Sequence, residues 1–335
     1  MTHVVELPAR PGQTRPWPGW VPAELRDALA ARGVTAPWRH QVHGAELAHS
    51  GRHVVVATGT ASGKSLVYQL PALSALLADP RATVLYLSPT KALAADQLRA
   101  VAALDLPGIR PACYDGDTPR AERDWVRQHS RFVLTNPDML HHSLLPGHRR
   151  WGAFLRRLSY VVVDECHVYR GVFGSHVAHV LRRLRRAAAR YGGAPTFVLA
   201  SATSGEPDVA ASRLIGLPVT AVTEDATPRG GVTFALWEPP LLHGAPDQPP
   251  ADPAAPDSPV RRSALRETAD LLADAVAHGV RTLAFVRSRR GAEVVASMAR
   301  RSLDEAVPGL GGRVAAYRAG YLREDRRALE RRLPG

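Results

Sequence analysis

Five short apolar segments, rich in β-branched residues, recur along the first 200 residues of the chain. They are His53–Ala57, Thr83–Leu87, Arg131–Thr135, Tyr160–Asp164 and Thr196–Ala200. Uninterrupted apolar runs of this length are typical of strands that are buried on both faces of a parallel sheet. Helical patterns fill the gaps, at Ser65–Leu77, Lys91–Leu104, Pro119–His129 and His176–Tyr191. The alternation predicts a doubly wound α/β domain whose ligands lie at the carboxyl ends of the strands.

The second half of the chain contains a proline-rich stretch, followed by a shorter α/β pattern. Eight prolines fall between Glu238 and Val260 with almost no apolar periodicity, so a linker or an exposed insertion is predicted there. Further on, helices are predicted at Arg266–His278, Arg290–Ser302 and Glu324–Arg332, and strands at Thr282–Val286 and Arg313–Tyr317. Two strands are too few for an independent sheet.

These patterns divide the chain into four parts. With 335 residues, it is long enough for two domains of ordinary size. Residues 1–22 are an N-terminal extension, and residues 23–225 form the first α/β domain. Residues 226–262 are the proline-rich linker or insertion, and residues 263–335 form a partial second α/β domain.

The composition favours a soluble protein with a polyanionic partner. The net charge is +12, and basic side chains displace the counterions that are condensed on phosphate groups. The charge alone is a weak signal, because a GC-rich genome also raises the arginine count. The two cysteines lack the spacing of a metal site or a disulfide framework, which favours the cytoplasm. Neither a bilayer-spanning apolar run of roughly 20 residues nor a secretory signal is present, so no membrane association is predicted.

A phosphate-binding loop is predicted between the first strand and the helix that follows it. Its candidate residues are Thr58, Gly59, Thr60, Ala61, Ser62, Gly63, Lys64 and Ser65. Small residues let backbone N–H groups close around phosphate oxygens at a helix N-terminus. Lys64 is expected to reach the β- and γ-phosphates, and the Ser65 hydroxyl to ligate Mg²⁺. Thr58 stands where the G-x-x-x-x-G-K-S pattern has its first glycine, and the alternative is a turn without a ligand.

An acidic pair follows the fourth apolar segment, in the sequence Asp164-Glu165-Cys166-His167. Asp164 is expected to hold Mg²⁺, and Glu165 to orient and deprotonate the attacking water as general base. His167 is expected to connect the nucleotide site with the second domain. The alternative is a solvated strand end, which is disfavoured by the phosphate loop about 100 residues earlier.

A third motif, Ser201-Ala202-Thr203, follows the fifth apolar segment. Alone, two hydroxyls around a small residue carry no signal. After the acidic pair, however, Ser201 and Thr203 are expected to exchange hydrogen-bond partners between the carboxylates and the other domain, and so to couple them.

The order of these motifs resembles that of superfamily 2 DExH helicases, and more closely that of the YprA, or mitomycin repair factor A, group. The segments that carry the resemblance are Thr58–Ser65, Tyr114–Thr118, Thr135–His141, Asp164–His176 and Tyr317–Tyr321. It extends from about Ala23 to Gly335, and the run H-x-Y-R-G-x-F-G-S-H is its most specific part. The resemblance implies a RecA-like domain with a parallel sheet, an incomplete second RecA-like domain, and ATP and Mg²⁺ as cofactors.

The resemblance also implies roles that spacing alone does not give. Gln41 is expected to recognise adenine through its amide donor and acceptor. Loop residues expected to contact a nucleic-acid backbone are Thr90, Lys91, Gly116, Asp117, Thr135, Asn136 and Asp138. The simpler alternatives are an exposed helix glutamine and ordinary polar loops. Members of the family track the strand 3′ to 5′, and DNA is favoured over RNA as the partner.

Two basic features stay ambiguous. Five arginines lie in Arg182–Arg190, where a solvated helix face is favoured over a nucleic-acid contact. The His141-His142 pair lacks further ligands at metal-site spacing, so structural or surface histidines are favoured over a metal site.

Two features of the family are missing from this sequence. In the family, arginines of the second RecA-like domain complete hydrolysis in a Q-x-x-G-R-x-G-R-type motif, and a cysteine-bearing zinc domain follows. Neither pattern occurs here. The sequence therefore predicts the N-terminal part of a monomeric ATP-dependent DNA helicase or translocase of DNA repair, which binds ATP and DNA but hydrolyses little. A non-catalytic ATP- and DNA-binding module and an RNA helicase stay open, whereas a P-loop transporter or signalling ATPase is disfavoured because these lack the S-A-T motif.

Overall fold

The computed structural model describes residues 1–242 and 260–332, in two compact units: Pro8–Gly231, and Met1–Leu7 together with Val232–Gly335. The strands are β1 (His3–Leu7), β2 (Val54–Val56), β3 (Thr83–Leu87), β4 (Pro111–Cys113), β5 (Phe132–Thr135), β6 (Leu158–Val163), β7 (Thr196–Ala200), β8 (Thr220–Val222), β9 (Val232–Leu236), β10 (Leu241–Leu242) and β11 (Val260–Arg261). The α-helices are α1 (Ala23–Ala30), α2 (Arg39–His49), α3 (Ser65–Ala78), α4 (Lys91–Ala102), α5 (Arg120–His129), α6 (Pro137–Met139), α7 (Gly152–Arg156), α8 (Gly171–Arg190), α9 (Pro207–Ile215), α10 (Ala264–Ala277), α11 (Arg289–Ala306) and α12 (Arg323–Arg332).

A seven-stranded sheet forms the centre of the larger unit, in the order β4-β5-β3-β6-β7-β2-β8. All neighbouring strands run parallel, which confirms the predicted α/β fold class. The five predicted strands are the five central ones. The edge strands β4 and β8 escape prediction because they are only partly buried and form no continuous apolar run.

Alternate residues of the central strands face two separate cores. In β2, Val54 and Val56 pack on one face with residues of α1, α2, α3 and α4. Val55 packs on the other face with residues of α5, α7, α8 and α9. Burial on both faces explains why these strands are apolar at every position, and it fixes the sheet as the rigid support of the loops at its edge.

Two arginines in the first part of the Arg182–Arg190 segment of α8 have a structural role. Arg182 donates to the carbonyl oxygen of Arg213 at 2.8 Å, and Arg185 donates to those of Ile215 and Gly216 at 3.0 Å. These carbonyls lie at the end of α9, where cationic side chains are favoured by the helix dipole. The helix itself begins at Gly171, earlier than predicted.

The smaller unit is built on α10 and α11, which share a core around Ala269, Ala299 and Leu303. Its helices are confirmed, but the two strands predicted at Thr282–Val286 and Arg313–Tyr317 are wrong. Within residues 260–332, neither segment is paired as a strand, and Phe285 is 90% exposed. A strand requires a hydrogen-bonded neighbour, so an apolar run alone does not produce one.

The predicted linker contains ordered strands. Strand β9 pairs antiparallel with β1, with His3 opposite Leu236, and β10 pairs with β11. Residues 243–259 of the proline-rich stretch lie outside the described residues. The predicted domain limits after residues 22, 225 and 262 stay predictions. No helix within the described parts of the chain is long and apolar enough to cross a membrane.

Candidate nucleotide-binding site

Apart from Gln41 on α2, the predicted site residues lie at or after the carboxyl ends of six neighbouring strands. The nucleotide and coupling motifs follow β2, β7 and β6, and the loops predicted to contact nucleic acid follow β3, β5 and β4. Because these strands are parallel, their carboxyl ends meet at one edge of the sheet. The two predicted sets of residues therefore occupy adjacent halves of that edge.

The loop between β2 and α3 turns tightly around Lys64. Gly63 has a positive φ of 71°, a backbone conformation that favours glycine. Lys64 Nζ donates to the carbonyl oxygens of Thr58 and Gly59, at 3.2 and 2.8 Å. The buried hydroxyls of Thr58 and Ser62 are 2.7 Å apart. The threonine that departs from the sequence pattern thus closes the base of the loop with a side-chain hydrogen bond.

The Gln41 amide contacts the phosphate loop directly. Its Nε2 donates to the carbonyl oxygen of Gly63 at 2.9 Å, and its Oε1 accepts from the N–H of Trp38 at 2.7 Å. A Cβ at position 63 would lie 2.4 Å from Gln41 Nε2, so a larger residue there would displace this amide. The structure places Gln41 where it supports the loop, and the expected adenine contact stays a prediction.

His40 holds the loop from the same helix. Its Nδ1 accepts from the N–H of Ala226 at 3.2 Å, so Nε2 carries the proton and donates to the carbonyl oxygen of Ser62 at 3.1 Å. Burial is the largest influence on His40, and it lowers the pKa of the ring. A neutral imidazole satisfies both partners, whereas a protonated ring would lose the bond from Ala226.

A pH-dependent stability is expected from His40. Its folded-state pKa lies below its unfolded value, so the unfolded chain binds the proton first as the pH falls. Stability from this group is present above about pH 6.5 and is lost as the pH falls toward the folded-state pKa. Unfolding in urea at pH 7.5 and 5.0 measures this loss, to which His53, also with a lowered pKa, contributes.

The His40→Ala variant separates the contribution of His40 to the acid-induced loss of stability from that of His53. It is expected to cost about 1–3 kcal/mol at neutral pH, because two buried backbone groups lose their partner, and to lose less stability on acidification than the wild type. His179, exposed on α8, provides the matched alanine control. An unchanged acid-induced loss in His40→Ala would contradict this role of His40.

Asp164 is held at the end of β6 by hydrogen bonds. Its Oδ1 accepts from the N–H of Glu165 at 2.9 Å, and its Oδ2 accepts from the Tyr86 hydroxyl of the neighbouring strand β3. Burial raises the pKa of Asp164, and these two bonds and the nearby charge of Lys64 oppose that shift. Because β2 and β6 belong to the same parallel sheet, the phosphate loop and this carboxylate lie at the same edge. Sequence reasoning missed Tyr86, because a tyrosine inside an apolar strand does not reveal its partner.

His167 lies between the acidic pair and the S-A-T segment. Its Nδ1 is 3.3 Å from Glu165 Oε2 and 3.1 Å from the backbone nitrogen of Ala202. A neutral ring with the proton on Nε2 accepts from Ala202, whereas a protonated ring donates to Glu165 through that same nitrogen. The two contacts therefore exclude each other. Glu165 itself has a left-handed φ of 47°, a sparsely populated conformation for a non-glycine residue.

The S-A-T hydroxyls make no contact with the acidic pair here. Ser201 is 3% exposed, and its Oγ donates to the carbonyl oxygen of Ala202 at 2.8 Å. Thr203 is exposed. The link to His167 runs through the backbone N–H of Ala202, which sequence reasoning missed. The exchange of hydroxyl partners by Ser201 and Thr203 stays a prediction.

Two of the loops predicted to contact nucleic acid meet through an ion pair. Lys91, the first residue of α4, lies 2.6 Å from the carboxylate of Asp117, and this hydrogen bond raises the pKa of Lys91. A Cβ at Gly116 would lie 3.9 Å from the Lys91 ammonium. Both charged side chains are exposed, so a phosphate group would compete with Asp117 for Lys91.

The remaining predicted residues differ in exposure. Thr90 and Asn136 accept backbone N–H groups at the starts of α4 and α6, at 3.3 and 2.8 Å. Thr135 is 2% exposed and donates to the carbonyl oxygen of Tyr114 at 2.5 Å. Asp138 is exposed. The Thr135 hydroxyl thus points inward, and its contact with nucleic acid stays a prediction.

A cavity of about 580 Å³ lies beside the start of α2. Its lining includes Trp17, Arg39, His40, His43 and Glu224. His40 lines this cavity and also bonds the phosphate loop, so it connects the two. Sequence reasoning missed Trp17 and Arg39. In the sequence, an aromatic and a guanidinium side chain near Gln41 could have indicated them as residues for binding a planar base.

The donor set fits Mg²⁺. Ser65 and Asp164 offer a hydroxyl and a carboxylate oxygen, and Mg²⁺ typically binds one or two carboxylates together with substrate phosphates. The buried Tyr68, one turn after Ser65, lies against Tyr86 with ring centroids 5.8 Å apart, and Tyr86 donates to Asp164. This places the start of α3 close to that carboxylate. Thr60 and Ala61 of the loop are exposed.

Comparison with known proteins defines the class to which the site belongs. Residues 38–211, just over half of the chain, match the family model of the DEAD/DEAH box helicases. The chain belongs to the DEAD/DEAH box helicase family. The predicted resemblance to this superfamily is therefore confirmed.

Similarity to individual helicases extends over most of this chain. The chain is 38% identical over 331 residues to the ATP-dependent helicase YprA of Bacillus subtilis, covering 98% of this chain and 42% of YprA. It is 38% identical over 305 residues to the ATP-dependent helicase HRQ1 of Saccharomyces cerevisiae, covering 88% of this chain and 27% of HRQ1. A crystal structure of the helicase MrfA bound to DNA and AMPPNP superposes with a TM-score of 0.87 at 36% identity, covering 98% of this chain and 44% of that chain. The chain spans less than half the length of these relatives.

Proposed function

We propose that this chain is the ATP- and DNA-binding N-terminal part of an ATP-dependent DNA helicase or translocase. The carrying observation is that the loop of Lys64 follows β2 and Asp164 follows β6 at the same edge of one parallel sheet. In the longer protein, ATP hydrolysis drives movement along a DNA strand in the 3′ to 5′ direction. This activity serves DNA repair. The protein acts in the cytoplasm as a monomer.

Each residue of the site has a role in this proposal. Lys64 and the N–H groups of the loop bind the phosphates, and Ser65 and Asp164 hold Mg²⁺. The metal ion, when bound, neutralises charge on the phosphate oxygens. Glu165 orients the attacking water and accepts its proton. His167 transmits the state of Glu165 to the S-A-T segment, because its Nδ1 serves only one of the two partners at a time.

DNA is the proposed polyanion because MrfA, with a TM-score of 0.87, was crystallised with DNA. Lys91, Thr90 and the loop at Gly116 form the backbone-contacting half of the edge. Fluorescence anisotropy with single-stranded DNA and RNA of the same base sequence tests this choice. Tighter binding of DNA is expected, and tighter binding of RNA would favour the RNA helicase alternative. Binding of both ligands without hydrolysis in the longer protein would favour a non-catalytic module.

The cavity beside α2 is proposed to receive the adenine base. His40 connects it to the phosphate loop, and it offers the Trp17 indole and the Arg39 guanidinium, both of which stack on planar bases. Trp17→Ala is expected to weaken ATP binding by roughly 3- to 10-fold, in line with the usual strength of aromatic stacking. Titration with a fluorescent ATP analogue measures the change.

Inorganic triphosphate provides the matched ligand for this test, because it lacks a base. Its affinity is expected to be the same in Trp17→Ala and the wild type. Trp125, which is 40% exposed on α5, provides the control substitution. Equal losses for ATP and triphosphate in Trp17→Ala would mean that the indole supports the fold and does not contact the base.

A further inference from the structure

The helix pair α3 and α4 contains two glutamines that face the predicted metal ligand Ser65. Gln97 Nε2 of α4 donates to Ser65 Oγ at 3.4 Å. Gln69 Nε2 of α3 donates to the Oε1 of Gln97 at 3.3 Å. Neither glutamine belongs to the phosphate loop or to the acidic pair, so the function described above leaves both unexplained.

The order of donors fixes the orientation of the Gln97 amide. A glutamine offers one acceptor oxygen and one donor nitrogen. The oxygen of Gln97 is occupied by the N–H of Gln69, so its nitrogen faces Ser65. Gln69 is 7% exposed and lies in an otherwise apolar face of α3, where a polar side chain is costly unless it is hydrogen-bonded. The hydrogen bonds therefore run in one direction, with Gln69 donating to Gln97 and Gln97 donating to Ser65.

A hydrogen bond from Gln97 restricts how the Ser65 hydroxyl can be oriented toward a metal ion. The Ser65 hydroxyl has one hydrogen and two lone pairs, and it rotates to suit its partners. When one lone pair accepts from Gln97, the rotation is restricted and the second lone pair remains for a cation.

We propose that Gln97, oriented by Gln69, is a positioning residue that aligns the Ser65 hydroxyl for Mg²⁺. The proposal rests on the proposed ATP·Mg²⁺ function and deepens it. Gln97 touches neither nucleotide nor metal and acts through Ser65. Substitution of Gln97 should therefore lower the Mg²⁺-dependent part of the nucleotide affinity. It should not change the affinity measured without Mg²⁺.

The test compares the affinity for a fluorescent, non-hydrolysable ATP analogue in Mg²⁺ and in EDTA. Gln97→Met keeps the length and helix propensity of the side chain but removes the amide. It is expected to reduce the gain in affinity from Mg²⁺ by about 3- to 10-fold, as for one lost hydrogen bond, with the affinity in EDTA unchanged. Gln69→Met is expected to act in the same direction and more weakly. Gln128→Met, on the exposed face of α5, is the matched control.

A double substitution decides whether Gln97 acts through Ser65. Ser65→Ala is expected to remove most of the Mg²⁺-dependent gain, and adding Gln97→Met should then cause no further loss. Additive losses, or an equal loss in EDTA and Mg²⁺, would overturn the positioning role. A Gln97→Met variant with the full gain would overturn it as well, while the proposed function would stand. A wild-type chain that binds no ATP analogue would overturn both.

Discussion

Replacing Lys64 by alanine is expected to weaken ATP binding to this chain by roughly 10- to 100-fold, the usual effect of losing a hydrogen bond to a charged group. In the structure, the ammonium is held by the carbonyl oxygens of Thr58 and Gly59, inside the loop that precedes α3. Phosphate oxygens carry more negative charge than these carbonyls and are stronger acceptors. Titration of the wild type and Lys64→Ala with a fluorescent ATP analogue in Mg²⁺ measures the effect.

AMP separates a phosphate contact from a general effect on folding. It lacks the β- and γ-phosphates, so its affinity should change little in Lys64→Ala. Arg190→Ala, at the exposed end of α8, removes the same charge far along the chain and serves as the control. If AMP and ATP lose affinity to the same extent, Lys64 does not contact the distal phosphates.

Glu165→Gln is expected to keep ATP affinity and to lower the hydrolysis rate by about 10²- to 10⁴-fold. Glutamine has the shape of glutamate but accepts no proton, so the water is no longer deprotonated. The Glu165 carboxylate lies beside His167 and directly after Asp164, the proposed metal ligand, where it can face both the water and the ring. Single-turnover assays with radiolabelled ATP measure the hydrolysis rates of the variant and the wild type, even where these are slow.

The control for this prediction is Glu122→Gln, an equivalent loss of charge on the exposed surface of α5. It should hydrolyse ATP at the wild-type rate. A Glu165→Gln variant with wild-type hydrolysis would exclude Glu165 as the general base. A loss of ATP affinity along with hydrolysis would instead indicate that the carboxylate holds the loop together.

The sheet could be predicted where burial on both faces leaves a continuous apolar run. Strands such as β3 and β6 are recognisable for this reason, whereas the edge strands β4 and β8 are only partly buried and form no such run. Thr282–Val286 has the same apolar character as a central strand but has no strand partner within residues 260–332. Strand pairing is a non-local property, and an isolated run does not contain it.

The motifs of the site could be predicted, but most of their partners could not. The phosphate loop and the acidic pair are local patterns, and the fold brings them together as expected. Tyr86 reaches Asp164 across 78 residues of sequence, and Gln97 reaches Ser65 across 32. Such contacts depend on which helices and strands are neighbours. The bond from the Gln41 amide to the carbonyl oxygen of Gly63 in the phosphate loop is another contact of this kind.

The most direct test of an ATP site in this chain is a crystal structure with a non-hydrolysable ATP analogue and Mg²⁺. We expect the triphosphate against Gly63, Lys64 and Ser65, the metal ion held by Ser65 and Asp164, and the base in the cavity lined by Trp17. A nucleotide bound at another place, or crystals that stay free of nucleotide at saturating concentration, would contradict the proposed function.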